Sequence, residues 1–88
     1  MTTIVIGHGP QEGTVYIGRP SKWGNPYRLG VHGSRNQVVE LYRLYLLDNP
    51  KLMKDARKEL KDKVLTCWCK PLRCHGDLLA DLANGKEI

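Results

Sequence analysis

The stretch KVLTCWCKPLRCHGDLLADLANG, residues 63–85, decides the fold. Its opening residues alternate, with Val64, Thr66 and Trp68 directed to one face and Leu65, Cys67 and Cys69 to the other, which is the period of a strand. After Lys70-Pro71 the period changes. Leu78, Leu79, Leu82 and Ala83 recur at helical spacing, which predicts a helix from Asp77 to Asn84 with Gly85 as its C-cap. A strand that runs through a short connection into a helix is a building unit of α/β proteins.

Working outward from there, Pro50 opens a helix that reaches Leu60, with Leu52, Met53, Ala56 and Leu60 turned inward. Before it, Asp48-Asn49-Pro50 stops a longer helix that starts at the capping box Ser34-Arg35-Asn36-Gln37. Val38, Leu41, Tyr42, Tyr45 and Leu46 give that helix its apolar stripe. Towards the N-terminus, Thr2 to Ile6 and Thr14 to Ile17 are short β-branched runs separated by Gly7-His8-Gly9-Pro10, and they read as two strands, joined as a hairpin. The expectation is one α/β domain over residues 1–88, with a mixed three-stranded sheet packed by about three helices.

The whole sequence is 88 residues long with 41% apolar residues, which supports one small core and excludes two. No apolar run approaches the roughly 20 residues that span a bilayer, so no membrane role is expected. Met1 to Ile6 lack the basic region and apolar length of a secretory signal, so the cytoplasm is the default compartment and stable disulfides are disfavoured. Fourteen basic against nine acidic residues give a formal charge of +5, which leans towards anionic partners. The cations between Lys51 and Lys63 are expected to form a solvated helical face instead. A chain this short with sheet edges would also gain core by pairing as a homodimer.

Two segments carry chemistry. Gly18 to Tyr27 is a loop constrained by glycine and proline, in which Arg19, Ser21 and Lys22 are suited to phosphate. In the same loop Trp23 and Tyr27 are suited to stacking on a base and Asn25 to a base edge, although the two aromatics would serve equally as core cover. The second segment, Cys67 to Asp77, leaves the last strand and enters the last helix, where unpaired N–H groups favour anions, Arg73 adds charge and Gly76 allows close approach. There Cys74 is a candidate nucleophile, with His75 or Asp77 as acid or base. Cys67, Cys69, Cys74 and His75 also number the four ligands of a structural zinc site, although their spacing is unusual for one and purely structural buried thiols are the stronger alternative to it. His8, after the first strand, is within reach of the same region.

The run Gly18 to Tyr27, the Tyr42-Arg43 helix and the run Cys67 to Asp77 followed by Leu78-Leu79-Ala80 resemble a domain-of-unknown-function family found in phage and bacterial proteins. The likeness covers about residues 15 to 84. It supplies a phage setting and no reaction. Three functions follow as expectations. The first is a pocket for a nucleotide-like small molecule or a nucleic-acid end, built from the Arg19–Tyr27 loop and the Cys74–Asp77 helix start. The second is an enzyme using Cys74 on that site, and the third a module binding a host protein with its thiols or zinc purely structural.

Overall fold

A computed structural model describes residues 2–7, 9–19, 21–68 and 72–88. His8 and Cys69, both considered above, lie outside the described residues. The elements are β1 (Ile4–Ile6), β2 (Val15–Tyr16), α1 (Arg35–Leu47), α2 (Pro50–Glu59), β3 (Val64–Thr66) and α3 (His75–Ala83). Three strands and three helices make the expected α/β architecture.

The sheet differs from expectation in one respect: it is parallel throughout, in the order β1-β3-β2, where a mixed sheet with a β1–β2 hairpin was anticipated. Val5 and Val15 both lie beside Leu65, and Ile6 and Tyr16 both lie beside Thr66. The reason is burial. Leu65 and Thr66 point to opposite faces and both are fully buried, as suits the central strand of a parallel sheet covered on both sides. The connection after β1 therefore crosses the end of β3, where the Gly9 N–H bonds to the Cys67 carbonyl at 3.2 Å.

Helix α1 begins as its sequence predicts. Ser34 Oγ accepts from the Gln37 N–H at 3.3 Å and Gln37 Oε1 accepts from the Ser34 N–H at 2.7 Å. Its buried stripe is Val38, Val39, Tyr42 and Leu46, while Leu41 and Tyr45 are half-buried. Helix α2 starts at Pro50 and buries Ala56 against the core. Helix α3 starts two residues before the predicted Asp77, because Cys74 is its N-cap. It packs across β1 and β3 and against both other helices, and its closing turn is a Schellman motif with Gly85 at φ +84°. Gly85 N–H bonds to the Leu82 carbonyl at 3.0 Å and Lys86 N–H to the Asp81 carbonyl at 2.8 Å. Thr3 and Asn84 exchange two hydrogen bonds of 2.8 and 3.1 Å, which pin the start of β1 to the end of α3. No helix among the described residues is long and apolar enough to cross a membrane.

Candidate functional site

In a parallel sheet the carboxyl ends of the strands lie side by side, and ligands collect beyond them near helix N-termini. Here β2 delivers Tyr16, Gly18 and Arg19, β3 delivers Cys67 and Trp68, and α3 delivers Cys74 and His75, all to one edge of the domain. The start of α1 faces them with Arg35, Val38 and Val39. Between these elements is an open cavity of about 450 Å³, rimmed also by Asn25, Tyr27, Leu29 and Arg73. The two segments singled out in the sequence thus share one cavity.

Cationic groups dominate its polar lining. Arg19, Arg35 and Arg73 border it, no Asp or Glu does among the described residues, and none of the three arginines is ion-paired to a described carboxylate. Two of them are held by local contacts: Arg35 Nη1 donates to the Arg73 carbonyl at 3.5 Å, and Arg73 Nη1 donates to Asn36 Oδ1 at 3.2 Å. The side-chain hydrogen-bond partner of Arg73 is neutral, while the Glu40 carboxylate, paired with Arg43, is near enough to feel the Arg73 charge.

The floor holds two sulfurs and an imidazole. Cys67 Sγ and Cys74 Sγ are 3.0 Å apart and both buried. Cys74 Sγ accepts the Gly76 N–H at 3.3 Å, and Asp77 Oδ2 accepts the Cys74 N–H at 3.2 Å, so cysteine and aspartate close a reciprocal capping box. His75 is 8% exposed. Its Nε2 is 2.8 Å from the Ile17 carbonyl, which can only accept, so this nitrogen carries the proton. In the neutral ring Nδ1 is then an acceptor, 3.6 Å from Cys74 Sγ. Burial holds the imidazole below its ordinary pKa, opposed by the Ile17 hydrogen bond and reinforced by the Arg19 charge. The ring also meets the edge of Tyr42 at 5.0 Å between centroids.

Other residues nominated from the sequence stand elsewhere. Trp23 is 5% exposed and part of the core, where its carbonyl accepts from the Tyr42 hydroxyl at 2.7 Å; it is the core cover weighed above rather than a stacking face. Lys22 points away from the cavity, pairs with Glu59 at 2.8 Å and lies over the Trp23 ring. Ser21 Oγ donates to the Gly18 carbonyl at 2.6 Å and shapes the turn. Asn25 rims the cavity, but its amide donates to the Val38 carbonyl of α1 at 3.1 Å and its Oδ1 accepts from the Tyr27 N–H at 2.9 Å, so one end ties the loop to α1 and the other shapes the turn. Gly76 permits close approach of α3 to the sheet, since a Cβ there would overlap Ile17 Cδ1, and it is buried away from the opening. Asp77 caps α3 and does not border the cavity. Of the four zinc candidates, Cys67, Cys74 and His75 converge here; among the described residues no group of three or more His, Cys, Asp and Glu is arranged to hold a metal ion.

Sequence reading missed Tyr16, Arg35 and Trp68. Trp68 is 69% exposed at the rim, which is where a ring can stack on a ligand. Arg35 had a detectable signal: it occupies the first turn of α1, where the helix end repels a cation and no acidic residue stands beside it.

The fold and cavity define a small α/β domain with a cationic pocket at the carboxyl edge of a parallel sheet. Its sequence matches the family described as "Domain of unknown function (DUF4326)" over residues 7–85, and the chain belongs to that family. It is 36% identical over 90 residues to "Uncharacterized protein R718" of Acanthamoeba polyphaga mimivirus, covering 82% of this chain and 68% of that protein. It is 34% identical over 83 residues to "Uncharacterized 12.4 kDa protein in nrdA-td intergenic region" of Enterobacteria phage T4, covering 91% of this chain and 76% of that one. Its relatives thus include viral and phage proteins, in line with the setting the resemblance implied. No solved structure matches the chain.

Proposed function

We propose that the domain binds a nucleotide-like anionic ligand, a mononucleotide or the phosphate-bearing end of a nucleic acid, in the cavity between the Arg19–Tyr27 loop and the start of α3. One observation carries this reading: three arginines border a single cavity whose described lining holds no carboxylate. Its volume of about 450 Å³ falls in the range of roughly 300–1,000 Å³ usual for small-molecule sites. Tyr16, Tyr27 and Trp68 supply rings beside the cations, the pairing that base and phosphate together require.

Calorimetric titration with AMP, ADP, ATP and short oligonucleotides, with and without a 5′-phosphate, tests it. Saturable binding of phosphate-bearing members is expected, weakened about tenfold by Arg19→Ala and by Arg73→Ala, as loss of one charge-assisted hydrogen bond implies. If no member binds saturably and none raises the melting temperature, the reading is wrong.

A second reading has its own observation. Cys74 Sγ faces the acceptor nitrogen of His75 and takes a hydrogen bond from the first turn of α3, the arrangement of an activated thiol. On that reading His75 Nδ1 takes the thiol proton as Cys74 attacks a bound electrophile. Any turnover found for this protein would then vanish in Cys74→Ser.

A further inference from the structure

Cys67 ends the central strand and Cys74 caps the helix that follows it, so a tertiary turn brings their sulfurs to 3.0 Å at the floor of the cavity. A disulfide needs about 2.05 Å, so a shift of about 1 Å links them. Cys74 Sγ accepts the Gly76 N–H at the positive end of α3 and has the His75 Nδ1 acceptor 3.6 Å away, both of which favour its thiolate. Each residue is only 1% exposed, yet both border the open cavity, whose arginines attract an anionic reagent.

We infer that Cys67 and Cys74 are a reversible dithiol–disulfide pair, closed by a disulfide oxidant of the glutathione class, and that closing it tightens the cavity's hold on a phosphate-bearing ligand. The second half rests on the binding reading above; the first does not. Cys74 thiolate, its proton passed to His75, attacks one sulfur of oxidised glutathione, forming a mixed disulfide and expelling a glutathione thiolate. Cys67 thiolate then attacks the Cys74 sulfur, forming the internal bond and expelling the second glutathione thiolate. The protein loses two electrons and two protons, and the oxidant gains them as two thiols.

Closure changes the cavity floor: two thiols that can ionise beneath the arginines become a disulfide that cannot carry charge. A floor unable to become negative favours an anion above it, by about three- to tenfold in affinity, the scale of one interaction with a charged group.

The test begins with intact mass of the wild-type protein after oxidised glutathione. Loss of the mass of two hydrogens, restored by dithiothreitol, is expected, with tryptic mapping joining the Cys74 peptide to the one that holds Cys67. Cys69→Ser should retain the link, and Cys67→Ser should stop at a glutathione adduct on Cys74. No such loss, a link that vanishes in Cys69→Ser but not in Cys67→Ser, or a zinc ion that holds the thiols until acidification, would overturn the pair. AMP is then titrated against both forms. Equal or weaker binding by the linked form overturns the coupling, whereas no binding by either form counts against the pocket reading and leaves the pair standing.

Discussion

His75 is a titrating side chain that folding takes almost wholly out of water. It is buried among the Tyr42 ring, both thiols and the N-terminal turn of α3; burial lowers its pKa, outweighing the Ile17 hydrogen bond and the attraction of Cys67 and Asp77 for a proton, and Arg19 adds repulsion. The folded protein therefore resists a proton that the unfolded chain takes up near pH 6.5. The sign follows from that difference. Above this pH both states hold neutral imidazole and nothing is lost; below it the unfolded state binds the extra proton and stability falls. Melting temperatures should drop between pH 7.5 and pH 5.5, before the carboxylates titrate. His75→Gln, which keeps an N–H donor for the Ile17 carbonyl without a titrating ring, should lose much of that slope. Equal slopes in the two proteins would show that another group is responsible.

The N-cap of α3 shows why elements were unevenly legible. Ser34 and Gln37 announce α1 because serine is a preferred cap, and the structure shows both reciprocal bonds. Cys74 and Asp77 make the same box, but cysteine is not read as a cap, so α3 was expected to start at Asp77 rather than His75. The strands were visible as β-branched runs, yet their parallel order was not, because the sequence does not say that β3 slips between β1 and β2; the backbone pairing shows it. In the pocket, Arg19, Arg73, Cys74 and His75 could be picked out from residue type alone, whereas Trp23 and Gly76 were drawn towards the ligand by chemistry that packing uses instead. If Cys74 is a working cap, serine should replace it with a stability change within about 0.5 kcal/mol or a gain, since serine is the better acceptor there. Asp77→Ala, which loses both the return bond and a favourable charge at the helix start, should cost about 1–2 kcal/mol in urea denaturation. A Cys74→Ser variant less stable than Asp77→Ala would mean that the sulfur's contact with Cys67, rather than the cap, holds this corner together.

Across the whole molecule the charge of +5 is not spread evenly in its effect. On the side of α2, Lys22 and Lys51 are engaged with Asp55 and Glu59, and on α1 Arg43 is engaged with Glu40. Arg19, Arg35 and Arg73, drawn from three separate parts of the chain, converge on the cavity without such partners among the described residues. A basic stripe along a surface tracks a nucleic-acid backbone, and its affinity grows with strand length; a closed cluster saturates once the terminal phosphate and its nucleotide are seated. The cluster seen here predicts that affinity for 5′-phosphorylated single strands rises over the first one or two nucleotides and then stays flat. It also predicts a modest salt response: with two or three phosphate contacts, raising salt from 50 to 200 mM should weaken binding by about tenfold, not by the thousandfold or more of an extended interface. Fluorescence anisotropy on labelled strands of increasing length at the two salt concentrations measures both. Affinity that keeps climbing with length, accompanied by a steepening salt slope, would place the binding surface along the lysines of α2 and outside the cavity.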